Sequence, residues 1–279
     1  MLQAIYDSID PVAFSIGPFS VRWYGLAYIA GFVICALVAY RIAKRWKTGM
    51  SSDDMMILLV AIMVGTILGA RLGYVLFYGN GYYLQHPGEI FAFQNGGMSF
   101  HGGLIGMVVA GIVASKVTKI SYLTLADLVA IVVPIGLFFG RCANFINGEL
   151  WGAETMLPWG VVFEDGGPNP RHPSQLYEAM LEGVVLFIVL FLLSRKKPPF
   201  PRGSYLAFFL VGYGVFRFLI EFVRQPDAQL GYLAGDWLTM GMVLSIPLVI
   251  AGVALFLWSR KKGLPQEGAK KPAPKRERA

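Results

Sequence analysis

Arginine is the residue whose placement first suggests chemistry in this chain of 279 residues. Of its 24 Lys and Arg residues, 18 lie in four basic segments, and the remaining six are all arginine. A guanidinium group can donate two parallel hydrogen bonds to a carboxylate or a phosphate, whereas the ammonium group of lysine is a point charge. The six therefore predict an anionic ligand such as a phosphate, with structural ion pairs as the alternative. They are Arg22, Arg71, Arg141, Arg171, Arg217 and Arg224.

The spacing of charged residues near the end of the chain indicates a shared helical face. Tyr213, Arg217 and Glu221 are four residues apart, and Arg224 continues the same stripe. Residues at this spacing are neighbours on a helix surface, as Glu178 and Glu182 would also be. A buried ion pair that fixes helix packing would produce the same pattern. Tyr213 on the stripe favours a wall that faces a ligand.

The elements that position these residues must be membrane helices. The chain is 56% hydrophobic and 15% charged, with a mean hydropathy of +0.57, whereas a soluble domain carries about 25% charge. We predict an all-α polytopic membrane protein with seven spans. The net charge of +7 does not lie on a soluble face, so no nucleic-acid partner is expected. The predicted spans are Trp23–Tyr40, Met55–Tyr78, Met98–Ser115, Tyr122–Phe139, Leu176–Ser194, Gly203–Phe222 and Trp237–Ser259.

Basic residues predict the orientation of these spans. The 18 clustered cations fall in alternate connections and in the tail, which marks that side as the cytoplasm and places the N-terminus outside. Residues 1–263 form the predicted membrane domain, with an outer arm at about 79–97 and a small extracytoplasmic cap at about 141–175. Residues 264–279 are a predicted disordered, basic, cytoplasmic tail.

Charge inside the predicted spans concentrates at the outer leaflet. Arg71, Arg217 and Glu178 fall in outer halves, and only Asp127 falls in an inner half. Intramembrane charge by default marks a functional site. Transporter sites usually lie near the midplane, so the distribution argues against a channel or transporter. Small residues four apart, such as Gly65 and Gly69, predict close helix packing.

Several segments resemble the bacterial prolipoprotein diacylglyceryl transferase family. The strongest is GRCANFINGELWG at 140–152, which is similar to the family signature G-R-x-x-N-F-I-N-x-E-x-x-G. Four more segments support it in the expected order, and the resemblance covers about nine-tenths of the chain. They are WYG at 23–25, GGMSFHGG at 96–103, RHPSQLYE at 171–178, and GYGVFRFLIE at 212–221 followed by RQPD at 224–227.

The resemblance implies a reaction at the outer leaflet of the bacterial inner membrane. The family transfers the diacylglyceryl group of phosphatidylglycerol to the lipobox cysteine in the signal peptide of a prolipoprotein. A thioether forms and glycerol phosphate leaves, which is the first step of lipoprotein maturation. The implied partners are these two substrates and membrane lipid, and no step requires a metal, a nucleotide or a redox cofactor.

The same resemblance suggests roles for individual residues. His101 is a candidate base for the thiol, with a positioning role or a purely structural one as alternatives. Arg141 and Arg217 would hold the phosphate and neutralise its charge as it leaves. The remaining candidates are assigned to substrate binding. They are Tyr24, Gly102, Asn144, Asn147, Glu149, Glu178, Tyr213 and Glu221.

Three other readings of the sequence stay open. The arginine cluster could be the outer-leaflet head-group site of a lipid transporter or flippase. Ser99 near His101 raises an intramembrane serine protease, although no nucleophile-elbow pattern surrounds that serine. Cys142 beside Arg141 could be a covalent nucleophile, but an apolar cysteine is more often a small core residue.

Overall fold

The structure is a computed structural model that describes residues 1–17, 19–93, 96–226, 231–235 and 237–266. The predicted tail beyond residue 266 and Asp227 of the RQPD segment lie outside the described residues. Ten α-helices and one two-stranded antiparallel sheet occur in the described ranges. They are α1 Leu2–Asp7, β1 Val12–Ile16, β2 Phe19–Arg22, α2 Trp23–Trp46, α3 Ser52–Tyr78, α4 Tyr82–Gln85, α5 Phe100–Thr118, α6 Tyr122–Ile146, α7 Ser174–Glu178, α8 Leu186–Ser194, α9 Ser204–Ile220 and α10 Met240–Lys262.

Within the described residues, six helical stretches are long and apolar enough to cross a membrane, so the prediction of an all-α polytopic membrane protein is confirmed. Five of them are single helices, and the sixth runs from Ser174 to Ser194 through a π-helical segment at Ala179–Val185. The predicted span Gly203–Phe222 forms the shorter helix α9, which has 17 residues. It is shorter because Gly203 caps its start at a φ of 87° and the chain turns at Glu221.

The chain divides into two compact units. The first contains Met1–Ala39 and Asp127–Pro265. Between α6 and α7, its chain is folded around the buried residues Phe145, Val161 and Phe163. Tyr6 of α1 packs edge-on against Phe145 and Phe163, with ring centroids 5.5 and 5.1 Å apart.

Asp127, predicted as the single charge in an inner half, has a structural role in this unit. Its side chain is fully buried and accepts hydrogen bonds from the backbone N–H groups of Gly203 and Leu206, each at 2.8 Å. These donors belong to the first turn of α9, where backbone N–H groups have no partner within the helix. Asp127 therefore caps α9 and sets where that helix begins.

The second unit contains Tyr40–Ala126 and is built on the pairing of α3 with α5. Glycines occupy both sides of this contact. A methyl group added at Gly69 would lie 2.7 Å from the Cα of Gly106, and one at Gly73 would lie 2.7 Å from the Cα of Gly102. The absence of side chains lets the two backbones approach closely, as the small-residue spacing predicts.

Candidate active site

Glu178 is the centre of the charged cluster in the first unit. Its carboxylate is fully buried, and Oε2 lies 2.5 Å from Nη2 of Arg141 and 3.3 Å from Nη1 of Arg217. Arg141 comes from α6, Glu178 ends α7, and Arg217 comes from the last turn of α9. One carboxylate thus holds two guanidinium groups from different helices side by side.

A second carboxylate extends the cluster. Glu221 pairs with Nη2 of Arg217, and its Oε1 lies 3.8 Å from Nη1 of Arg224. The hydroxyl of Thr239 donates to the other oxygen of Glu221 and also caps α10. A methyl group on Gly241 would lie 2.6 Å from Oε2 of Glu221, so a larger residue at this position would displace the carboxylate.

Arg141 lies inside helix α6. The helix runs on to Ile146, five residues beyond Arg141, because Phe145 continues its buried side. Asn144, one turn after Arg141, therefore shares its face and accepts from Nη1 at 3.4 Å. The amide of Asn144 also donates to Glu149 at 2.7 Å, so the three predicted residues form one hydrogen-bonded chain.

Tyr24 and Asn147 line a separate cavity of about 520 Å³ in the same unit. Arg22, at the end of β2, lines it too and is exposed. The hydroxyl of Tyr24 lies 3.2 Å from that of Tyr28, and Tyr24 is close enough to interact electrostatically with Arg141. The structure thus places Tyr24, which was predicted to contact the lipid, in the same cavity as Asn147 of the family signature.

Two of the six arginines donate their hydrogen bonds to backbone carbonyl groups and do not face an open ligand site. In the second unit Arg71 is 1% exposed and donates to the carbonyl oxygens of Glu89, Ile90, Gly96 and Gly97, at 2.8, 2.7, 2.5 and 3.1 Å. It organises the connection that leads to α5. The expectation of an anionic ligand is wrong for Arg71, because carbonyl dipoles occupy its donors.

Arg171 is the second arginine that holds the fold together. It donates to the carbonyl oxygens of Gly166 and Gly152 at 2.5 and 3.3 Å, and it lies 4.2 Å from the ring centroid of Trp151. The neighbouring His172 approaches the hydroxyl of Tyr177 at 3.2 Å, and burial lowers the pKa of its imidazole below the usual value. Both residues fix the chain between α6 and α7.

His101 and Gly102 belong to the second unit, in the first turn of α5. The imidazole of His101 is exposed, and none of the described residues hydrogen-bonds to it. Gly102 is buried, with its backbone against Gly73, and helix packing alone accounts for a glycine there. Their roles toward a substrate stay predictions.

Comparison with known proteins identifies the family. The sequence profile described as prolipoprotein diacylglyceryl transferase matches residues 11–258. The chain belongs to the prolipoprotein diacylglyceryl transferase family. Proteins named phosphatidylglycerol–prolipoprotein diacylglyceryl transferase from Aliivibrio fischeri, Nitratidesulfovibrio vulgaris and Pseudomonas paraeruginosa are 51%, 51% and 50% identical to it. The alignments cover 93%, 92% and 95% of this chain and 92%, 97% and 98% of those proteins.

Two residues that support the cluster in this family member were not among the predicted site residues. Thr239 holds Glu221, and the Gln175 amide donates to the carbonyl oxygen of Glu149 at 2.7 Å. Thr239 had a recognisable signal, since a threonine before an apolar run is a helix cap. Gln175 had none beyond its place in the RHPSQLYE segment, because its partner lies 26 residues away.

Proposed function

We propose that this chain transfers the diacylglyceryl group of phosphatidylglycerol to the lipobox cysteine thiol of a prolipoprotein. The observation that carries the proposal is the Arg141–Glu178–Arg217 contact in a chain of this family. The side chains of Arg141 and Arg217 keep 17% and 14% exposure, so they remain accessible, whereas the carboxylate between them is buried. Two guanidinium groups fixed side by side form a site for one phosphodiester.

In the proposed reaction the thiolate attacks the glycerol carbon that is bonded to the phosphate oxygen. The S–C bond forms, the C–O bond breaks, and the electron pair leaves with glycerol phosphate. Arg141 and Arg217 stabilise the charge that develops on the departing phosphate. Glu178 holds the two arginines in position in this proposal. The remaining predicted residues shape the substrate site, and they are Tyr24, Asn144, Asn147, Glu149, Tyr213 and Glu221.

His101 is proposed as the base that accepts the thiol proton. Imidazole exchanges protons near neutral pH, and a free thiol has a pKa of about 8.5, so a base increases the thiolate fraction. The exposed ring, without a hydrogen-bond partner among the described residues, supports this role.

We further propose seven spans in the inner membrane, with the N-terminus outside and the site at the outer leaflet. Helix α9 supplies the additional span, since its 17 residues extend about 26 Å, close to the hydrocarbon thickness of about 30 Å. The folded segment between α6 and α7 is then an extracytoplasmic cap. The distribution of the 18 clustered cations supports this orientation.

Reconstitution with defined substrates tests the function. Purified protein in vesicles that contain phosphatidylglycerol should add one diacylglyceryl group to a synthetic lipobox peptide, measured by mass spectrometry. A peptide with serine in place of cysteine and vesicles of phosphatidylethanolamine alone are the matched controls. An unmodified cysteine peptide would refute the proposal. A cleaved peptide would indicate the protease instead, and movement of the lipid between leaflets without transfer would indicate the flippase.

A further inference from the structure

Glu182 is a buried carboxyl group that the proposed reaction does not yet use. It lies in the π-helical segment Ala179–Val185 and is fully buried. Within the described part of the chain neither of its side-chain oxygens has a hydrogen-bond partner. A buried polar group without a hydrogen-bond partner destabilises a folded protein, and π-helical turns frequently occur at functional sites. Packing alone gives no reason for a glutamate there.

The position of Glu182 defines a second layer of the site. It follows Glu178 by four residues, and Tyr213 precedes Arg217 by four, so each lies about one helical turn further toward the middle of its span. Glu182 and Tyr213 are close enough to interact electrostatically with each other and with Arg217. Glu178 and Arg217 thus form a layer near the span ends, and Glu182 and Tyr213 form one beneath it.

The surroundings of Glu182 indicate that it acts in its neutral form. The neighbouring carboxylates Glu178 and Glu221 are ion-paired with arginines, whereas neither oxygen of Glu182 has a hydrogen-bond partner within the described residues. An ionised carboxylate buried without hydrogen bonds is strongly unfavourable. A neutral carboxyl group is a hydrogen-bond donor.

We propose that Glu182 donates its carboxyl O–H to an ester carbonyl of the diacylglyceryl group, and this inference rests on the proposed function. A lipid whose phosphate is bound in the arginine layer has its acyl chains directed toward the membrane interior. The two ester groups, attached a few bonds from the phosphate, then fall in the layer of Glu182. An ester carbonyl is a hydrogen-bond acceptor, and the neutral carboxyl group of Glu182 is a donor in that layer. Glu182 thereby makes the enzyme prefer diacyl over dialkyl lipids.

The test compares two lipids that differ only in those carbonyl groups. The specificity ratio is kcat/KM for diacyl phosphatidylglycerol divided by kcat/KM for its dialkyl ether analogue, measured with the same lipobox peptide. We expect about tenfold for the wild type, because the ether leaves the buried O–H without a partner. Glu182→Gln keeps a hydrogen-bond donor, so its specificity ratio should stay above about threefold. Glu182→Met has no donor, so its ratio should fall to within about twofold of one. Leu190→Met, a fully buried change in α8 of the same span, should retain the wild-type ratio.

A purely structural role for Glu182 would lower activity on both lipids equally and leave the ratio unchanged, which would overturn the proposal. A wild-type ratio near one would overturn it without any variant. If Glu182→Met does not fold, the specificity ratios of the wild type and of Glu182→Gln still test the proposal. Both ratios must exceed about threefold, and a lower value for either would overturn it. Absence of transfer from either lipid by the wild type would overturn the proposed function itself, an outcome distinct from equal transfer from both.

Discussion

Glu178→Gln tests whether one buried carboxylate holds the site together. The substitution keeps the size of the side chain but removes the charge that faces Arg141 at 2.5 Å and Arg217 at 3.3 Å. Loss of one member of a buried ion pair costs about 3–5 kcal/mol. Arg217 keeps its pair with Glu221, whereas Arg141 keeps the carbonyl of Asn144 at 3.4 Å. We therefore expect a loss of about 3 kcal/mol, at the lower end of that range.

Stability and activity should both fall, and they are measured separately. The free energy of unfolding is obtained by denaturant titration in detergent micelles, and kcat/KM by the transfer assay. Activity should fall about 100-fold, since one electrostatic donor contributes about 2.7–4 kcal/mol to the transition state and Arg141 is no longer held. Glu154→Gln is the matched control, because Glu154 is 56% exposed and faces Arg171 at 3.6 Å. Exposed pairs contribute about 0–1 kcal/mol, so that variant should behave as the wild type.

A double variant separates the stability of the pair from its catalytic use. Replacing Arg141 and Glu178 together by methionine removes both buried charges, so stability should return to about the wild-type value, a recovery of about 3 kcal/mol relative to Glu178→Gln. Activity should not recover, because the phosphate has lost one of its two arginines. A Glu178→Gln variant with wild-type stability and wild-type turnover would refute the reasoning.

Four further outcomes are expected. Arg141→Lys keeps the charge but loses the guanidinium fork, so kcat and KM should both be impaired in steady-state assays; wild-type values would show that charge alone suffices. His101→Gln should bind lipid but lose turnover, and recover partly as pH rises toward the thiol pKa of about 8.5; loss of lipid binding at every pH would make it a positioning residue. The Cys35→Ala, Cys142→Ala double variant should keep most activity in the transfer assay, and total loss in a folded protein would revive a covalent mechanism. A cysteine introduced in segment 79–97 should react with an impermeant reagent on intact spheroplasts, and labelling only after permeabilisation would reverse the topology.

Much of the fold was predictable because a bilayer imposes simple requirements on sequence. A helix in lipid needs about 20 mostly apolar residues, and runs of that kind are visible without a structure. Even so, α6 extends to Ile146, beyond the predicted end at Phe139, because protein and not lipid surrounds its last turns. Hydropathy measures contact with lipid, so it underestimates a helix that continues into a folded segment.

Family membership and the types of residue in the site were determined by the sequence alone. The GRCANFINGELWG segment and the Tyr213, Arg217, Glu221 stripe are local patterns, and fixed helix geometry turns their spacing into a shared face. The partner of each charged group was decided only by tertiary structure. Glu178 binds Arg141 and Arg217, which lie 37 positions before it and 39 after it, and Arg71 is occupied by backbone carbonyls. Such pairings depend on how separate helices rotate and approach one another, which spacing along a single helix does not encode.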